Sequence, residues 1–104
     1  MATYGYRLSR PAIADLEEIS VFLSNRSTSA ADRVIDAIRD TFRLIARDRE
    51  IGTCLESMRP GLRMSLASKP ADKFIVFYYL VADGVMISRV LHSARDWPEM
   101  LFIE

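Results

Sequence analysis

The side chains that could do chemistry in this sequence gather near its C-terminal end. The run Arg89-Val90-Leu91-His92-Ser93-Ala94-Arg95-Asp96 holds the only histidine of the chain, with an arginine on either side of it. An imidazole can act as a general acid or base in phosphodiester chemistry, and guanidinium groups such as those of Arg63 and Arg89 can stabilise the charge on the phosphorane. A lone histidine at a strand end is more often a hydrogen-bonded structural residue. Both roles stay open for His92.

Arginine side chains inside apolar strands are the second feature with chemical potential. Arg63 and Arg89 each lie in an apolar run, where a charge either contacts a ligand, faces solvent or forms an ion pair, with Asp96 as a candidate partner. Trp97 fits an anchor for the C-terminal tail better than an exposed binding hot spot. The residues that we predict to contact a target or partner are Arg63, Arg89, His92, Arg95, Asp96 and Trp97.

Several other kinds of site are not expected. The single Cys54 can form no disulfide within the chain, and no group of residues has metal-ligand spacing. The sequence also contains no glycine-rich phosphate loop. We therefore predict no cofactor and no metal, and we interpret Cys54 as a structural residue.

Composition indicates a small soluble protein. The chain has 104 residues, of which 50% are apolar and 27% charged, and this suits one domain over residues 1–104. No apolar run reaches the ~20 residues that cross a bilayer, and Met1–Arg10 lacks the apolar stretch of a signal peptide. We therefore expect a cytoplasmic protein with no membrane partner.

The charge of the chain is zero overall but unevenly distributed. Residues 57–95 carry six basic and two acidic side chains, a balance of +4. Twelve of the 14 basic residues in the chain are arginine, whose planar fork suits bidentate contact with carboxylates and phosphates. This distribution favours an anionic partner.

Periodicity predicts one strand followed by two helices. Tyr4–Leu8 alternates in the manner of a half-buried edge strand. A helix should begin after Ser9 and end near Asn25, where small polar residues follow. Its apolar stripe comprises Ile13, Leu16, Ile19 and Leu23. A second amphipathic helix over Ser29–Arg47 and a short linker predict an antiparallel helical hairpin.

Three strands and a tail should follow the hairpin. The strands are predicted over Leu62–Ala67, Lys73–Leu80 and Val85–His92, with Asp83-Gly84 as the turn between the last two. The second strand is apolar on both faces and should be central. The tail that we expect to dock on the sheet is Asp96–Glu104, through Trp97, Met100, Leu101 and Phe102. The predicted fold is a two-layer α+β domain, with the hairpin on one face of a small, mainly antiparallel sheet.

Five segments of the sequence carry a family resemblance. They are Tyr6-Arg7-Leu8-Ser9, Ala14-Asp15-Leu16-Glu17-Glu18-Ile19, Pro60-Gly61-Leu62-Arg63, Phe77-Tyr78 and Ile87-Ser88-Arg89-Val90-Leu91-His92-Ser93-Ala94-Arg95-Asp96. Together they resemble the ParE/RelE superfamily of toxins. The resemblance covers nearly the whole chain and is most specific in the last segment, which is similar to the ParE branch. The resemblance implies the toxin of a type II toxin-antitoxin system, which arrests growth unless a co-encoded antitoxin wraps around it, and which is associated with plasmid stabilisation.

The resemblance implies two alternative targets. ParE-like members are associated with poisoning of DNA gyrase, whereas RelE-like members cut messenger RNA on the ribosome with basic and tyrosine side chains near the C-terminus. Arg63 and Arg89 lie where similar arginines would, but no Lys, Arg or Tyr follows Asp96 and the net charge is zero. Since phosphate binding draws on basic charge, we expect a non-enzymatic gyrase inhibitor. The alternatives are a ribosome-dependent endonuclease using Arg63, Arg89 and His92, or a non-toxic interaction module.

An apolar side chain without an expected partner in the core points to the antitoxin. Phe22 has no obvious internal partner in so short a chain. We therefore expect the antitoxin to contribute an extended or helical segment with apolar anchors.

Overall fold

The computed structural model describes residues 5–101, which form three helices and one five-stranded sheet. The helices are α1 (Arg10–Ser24), α2 (Thr28–Arg47) and α3 (Trp97–Met100). The strands are β1 (Gly5–Leu8), β2 (Thr53–Cys54), β3 (Leu62–Leu66), β4 (Phe74–Val81) and β5 (Gly84–His92). The predicted elements agree with these within a residue or two, except that Tyr4 lies outside the described residues. The sequence did not predict β2, because two residues are too few to show a period.

The order of strands in the sheet is β1-β5-β4-β3-β2. β1 runs parallel to β5, and each other neighbouring pair is antiparallel. The predicted edge position of the first strand is confirmed, and so is the central position of the strand predicted over Lys73–Leu80, which is β4. The two-layer α+β architecture, with a mainly antiparallel sheet and a helical hairpin on one face, is also confirmed.

Both long helices begin at a serine that caps them. The hydroxyl of Ser9 accepts a hydrogen bond from the amide of Ala12, and that of Ser27 accepts one from Ala30. In α2 the expected apolar face is buried or partly buried against the sheet. In α1 the predicted stripe is wrong at Ile13, which is 44% exposed, because the helix turns Ala12 toward the core instead. Within residues 5–101 no helix is long and apolar enough to cross a membrane.

The C-terminal tail covers the other face of the sheet. The Trp97 ring packs on Phe77, with 5.3 Å between ring centroids. Leu101 is 8% exposed and joins a second apolar cluster, against which Trp97 and Met100 also pack. The predicted docking of the tail is therefore confirmed as far as Leu101, while Phe102 and Glu104 lie outside the described residues.

The turn between β4 and β5 differs from the prediction. Val81 pairs with Gly84, so the loop consists of Ala82 and Asp83, and Gly84 is already in the strand. Gly84 also lies opposite Gly5 of β1, and a Cβ atom on it would collide with the carbonyl oxygen of Gly5. This close approach, more than the turn, requires glycine at position 84.

Candidate functional site

Helix α1 lies along an open edge of β5. The ladder between β1 and β5 ends where Leu8 pairs with Ile87, so the rest of β5 has no strand on that side. The Ser9 hydroxyl donates a hydrogen bond to the Ser88 carbonyl, and the Asp15 carboxylate accepts one from the Val90 amide at 3.0 Å. The side chains of Asp15 in α1 and of its N-cap Ser9 thus supply hydrogen bonds that a neighbouring strand would otherwise make.

Asp15 and Arg89 form a buried ion pair at this edge. Nε and Nη2 of Arg89 donate to the two carboxylate oxygens of Asp15 at 2.7 and 2.8 Å. The two side chains are only 9% and 12% exposed. Nη1 of Arg89 donates to the carbonyl of Met100 at 2.7 Å, so the guanidinium joins α1, β5 and α3. Hydrogen bonding to Asp15 raises the pKa of the Arg89 guanidinium.

Asp96 is not the partner of Arg89, contrary to one of the interpretations of the sequence. Asp96 is exposed and precedes α3, where its carbonyl accepts a hydrogen bond from the amide of Met100. Arg89 pairs with Asp15 because α1 runs beside β5, which brings together two residues that are 74 positions apart in the sequence.

Arg63 serves a different part of the protein. Its Nη1 donates to the carbonyls of Glu50 and Gly52, at 3.1 and 2.9 Å. Tyr78, its neighbour on β4, donates its hydroxyl to the Arg49 carbonyl and accepts from the Gly52 amide, both at 2.9 Å. Burial raises the pKa of Tyr78. Arg63 and Tyr78 together hold the segment that follows α2.

The register places the three candidate catalytic residues apart. Arg63 pairs with Tyr78 and Arg89 pairs with Phe77, and because consecutive strand residues face opposite ways, the two arginines start from opposite faces of the sheet. His92 pairs with Phe74, four residues farther along β4 and two strands away from Arg63. Strand spacing and rise put the Cα atoms of Arg63 and His92 about 16 Å apart. The structure does not bring these residues together.

His92 lies instead in a groove between α1 and the ends of β4 and β5. Its ring packs edge-on against Phe74, with 5.2 Å between centroids, and its Nδ1 accepts a hydrogen bond from the Ala94 amide at 3.0 Å. A neutral imidazole in this arrangement carries its proton on Nε2. The groove encloses about 420 Å³, and its lining is Glu18, Ile19, Phe22, Phe74, His92 and Arg95. We call this feature the α1 groove.

The remaining candidates divide between the rim of the α1 groove and the core. Arg95 reaches Glu18 at 3.4 Å, and both side chains are more than half exposed, so this ion pair is weak. Trp97 is half-buried on the tail face, as an anchor should be. Among the predicted contact residues, only His92 and Arg95 line the α1 groove.

Sequence reasoning missed Asp15, although a signal for it was present. Asp15 lies three residues after Ala12 and four before Ile19, which places it on the core side of α1. A carboxylate in that position needs a buried cation or donor. Phe74 could not be assigned to a site from sequence, because its partner His92 is brought to it only by the pairing of β4 with β5.

No described residues form a metal site. Within residues 5–101, no group of three or more His, Cys, Asp and Glu side chains is arranged to hold a metal ion, and Cys54 is exposed with a free thiol.

Comparison with known protein families identifies the family of this chain. The model of the family described as the ParE toxin of the type II toxin-antitoxin system parDE matches residues 6–97. This chain belongs to that family. Toxin RelE3 of Caulobacter vibrioides is 32% identical over 79 residues, covering 76% of this chain and 83% of that protein. The recognition of a ParE/RelE superfamily toxin from sequence is confirmed.

A solved structure shares the fold. A chain of the chromosomal ParDE toxin-antitoxin system from P. aeruginosa superposes with a TM-score of 0.70, over 86% of this chain and 96% of that one. Its sequence identity is 18%, so the likeness concerns the fold alone.

Proposed function

We propose that this toxin acts in the cytoplasm by binding and inhibiting DNA gyrase, and that a co-encoded antitoxin neutralises it. The observation that carries the choice of a binding mechanism over RNA cleavage is the engagement of Arg89, whose guanidinium is held by Asp15 and by the carbonyl of Met100. The choice of gyrase as the bound target follows the ParE-like members, which are associated with poisoning of gyrase. A cation with these contacts is not available to stabilise a phosphorane without breaking a buried ion pair. The proposal makes the protein a binder rather than an enzyme.

The positions of the other two candidate residues support the same choice. Arg63 donates to two backbone carbonyls, and His92 stands about 16 Å from it by strand geometry. General acid-base catalysis requires its groups within hydrogen-bond reach of one substrate atom. To meet on one phosphate, Arg63 and Arg89 would both have to give up their present hydrogen bonds.

RNA cleavage is the second candidate, and one comparison favours it. The relative that is 32% identical carries the name RelE3, and RelE-like members cut messenger RNA on the ribosome. His92 and Arg95 line one groove and could reach one substrate. A nuclease built this way would use those two residues and leave Arg63 and Arg89 in structural roles.

Two parallel reactions separate the candidates. One contains purified toxin, gyrase and plasmid DNA, and the other contains toxin, translating ribosomes and messenger RNA. We expect inhibited supercoiling in the first reaction and intact RNA in the second. If His92 were the general acid or base of an endonuclease, His92→Gln would lower the rate of RNA cleavage by about 10²–10⁴-fold. Inhibition of gyrase by binding needs no such group, so the same variant should retain it.

An exposed arginine of α2 provides the matched control. Arg33 is exposed and does not line the α1 groove, so the variant Arg33→Gln should behave like the wild-type protein in both reactions. Cleaved RNA, unaffected gyrase and loss of cleavage in His92→Gln would together establish the endonuclease. No effect in either reaction, with the antitoxin bound normally, would overturn both candidates.

A further inference from the structure

Exposed arginines surround the open edge of the sheet at β1. Arg43 and Arg47 of α2 line a concavity of about 330 Å³ together with Gly5 and Tyr6 of β1. Arg7 lines a second concavity, of about 390 Å³, which shares Gly5 and Tyr6 with the first. The chain therefore brings basic side chains from a helix and from a strand to one edge of the molecule.

The arginines of α2 at this edge belong to a row. Arg39, Arg43 and Arg47 are spaced by four residues, so they lie on neighbouring turns of one helix face, and all three are exposed. At 1.5 Å per residue the row is about 12 Å long. This length matches roughly three to four nucleotides of one strand of duplex DNA, which carries one charge per 3.4 Å of axis. We call these three residues and Arg7 the arginine edge.

The carboxylates near the arginine edge hold it only weakly. Asp40 pairs with Arg43 at 2.7 Å, and Asp83 pairs with Arg7 at 3.2 Å. All four of these side chains are more than half exposed, and exposed ion pairs contribute little free energy. The other two arginines of this edge form no ion pair within residues 5–101. An anionic partner can therefore take the whole arginine edge without breaking a buried interaction.

The backbone of β1 adds hydrogen-bond donors beside these arginines. The amides of Gly5 and Ser9 donate to carbonyl oxygens in or just before β5, so alternate residues of β1 bond to that strand. The amides of Tyr6 and Leu8 therefore point away from β5, toward the open edge. Backbone amides and arginine side chains are the groups with which proteins commonly contact phosphates of DNA.

From this arrangement we propose that the arginine edge binds the phosphate backbone of the duplex DNA that the target enzyme holds. The row on α2 contacts successive phosphates of one strand, Arg7 contacts a fourth phosphate, and the amide of Tyr6 donates to a phosphate oxygen. The planar guanidinium group suits phosphate geometry, and such contacts do not depend on base sequence. This inference rests on the proposed function in one respect, since gyrase supplies the DNA.

Two other occupants fit the arginine edge less well. A peptide strand, or β1 of a second copy of this chain, would pair with the open backbone but would need apolar pockets for its alternate side chains. The side chains of Tyr6 and Leu8 pack against the core instead, and charges along an edge oppose pairing. Single-stranded RNA binds largely by stacking its bases on aromatic rings, whereas the Tyr6 ring is half-buried against Phe42. Duplex DNA needs only exposed contacts to its phosphates.

The first test measures binding of the full-length toxin to a fluorescent duplex by anisotropy over a range of salt concentrations. Four phosphate contacts predict a slope of about −3.6 for the logarithm of the affinity against the logarithm of salt, which is 4 × −0.9. Arg47→Gln should weaken binding and bring the slope to about −2.7, because one contact is lost. Asp40→Asn releases Arg43 and should strengthen binding about twofold at low salt.

Another arginine of α2 provides the matched control. Arg33 is exposed like Arg47 but lies 14 residues before it, roughly 21 Å along the helix. Arg33→Gln removes the same charge and should leave the salt slope unchanged. Thermal unfolding followed by circular dichroism checks that each variant keeps the fold.

Gyrase separates the contact with DNA from the contact with the enzyme. The double variant Arg43→Gln with Arg47→Gln should bind DNA-free gyrase as the wild type does. On gyrase that holds DNA, the same variant should need about tenfold more toxin for half-maximal inhibition of supercoiling, because two phosphate contacts are missing.

Defined results would overturn the inference. These are equal effects of Arg33→Gln and Arg47→Gln on the salt slope, tighter binding of single-stranded RNA than of duplex DNA at equal salt, and a toxin dimer that dissociates only in Arg47→Gln. Inhibition of gyrase by a toxin that binds no DNA would overturn this inference and leave the proposed function intact. Binding of DNA through the arginine edge, with gyrase unaffected, would overturn the proposed target and leave the contact with DNA standing.

Discussion

Replacement of Asp15 by Asn removes the charge that holds Arg89 in the interior. Asp15 accepts three hydrogen bonds, two from Arg89 and one from the amide of Val90. An Asn side chain keeps one oxygen acceptor, but its NH₂ group would face an N–H donor of Arg89 or Val90 and could not accept a hydrogen bond from it. Removing one member of a buried ion pair typically lowers the free energy of unfolding by about 3–5 kcal/mol. This range applies here because the side chains of Arg89 and Asp15 are only 12% and 9% exposed.

This cost is large for a protein of 104 residues. Total stabilities of such proteins are about 5–15 kcal/mol, and each kcal/mol corresponds to roughly 4–8 °C in the midpoint of thermal unfolding. We therefore expect Asp15→Asn to lower the midpoint by at least about 12 °C. Urea unfolding followed by circular dichroism should show the same loss as a free-energy difference.

A second ion pair on the same helix provides the control. Glu18 and Arg95 are 72% and 52% exposed, so Glu18→Gln should cost less than about 1 kcal/mol. The double variant Asp15→Leu with Arg89→Met should recover much of the loss, because it leaves no uncompensated buried charge. If Asp15→Asn cost no more than Glu18→Gln, the ion pair would not hold α1 to β5 and α3, and the argument that Arg89 is unavailable for catalysis would fail with it.

Three further predictions concern the core and the sheet. Burial raises the pKa of Tyr78 above its usual 10.0, so the stability from its protonated hydroxyl is full below about pH 10 and is lost as pH rises through the raised value. Tyr78→Phe should therefore show a smaller alkaline loss of stability than the wild type in urea unfolding at about pH 8 and pH 11. Trp97→Ala should destabilise the protein by roughly 1.5–3 kcal/mol in the same measurement at neutral pH, because Trp97 covers Phe77; an unchanged unfolding free energy would mean that the tail is dispensable. Gly84→Ala should disrupt the pairing of β1 with β5, seen as faster hydrogen exchange of the Ser9 amide, which donates to Ile87.

The helices and strands were predictable because their signals are local. Ser9 and Ser27 each precede an amphipathic run and cap it, so the ends of α1 and α2 follow from residues within one turn. The run over Phe74–Val81 is apolar on both faces, and the structure covers it with helices on one side and the tail on the other. Recognition of the family depended on the same kind of local information, carried by short segments in a known order.

The candidate site was predictable only in part, since its residues come from distant parts of the chain. His92 and Arg95 were identified as chemically suited residues, but Phe74 and Glu18 join them only through the pairing of β4 with β5 and the course of α1. Sequence periodicity tells which face of an element is apolar, and it does not tell which elements are neighbours.

The ion-pair partner of Arg89 shows most clearly what local sequence can predict and what depends on the packing of distant segments. The sequence by itself determined that an arginine lies inside an apolar strand, and it left open whether that charge contacts a ligand, faces solvent or forms an ion pair. Whether the anion would be Asp96, a ligand or Asp15 depended on β1 ending at Leu8, which leaves the rest of β5 open for α1. Only the tertiary structure decides that arrangement, since it arises from packing between segments 74 residues apart.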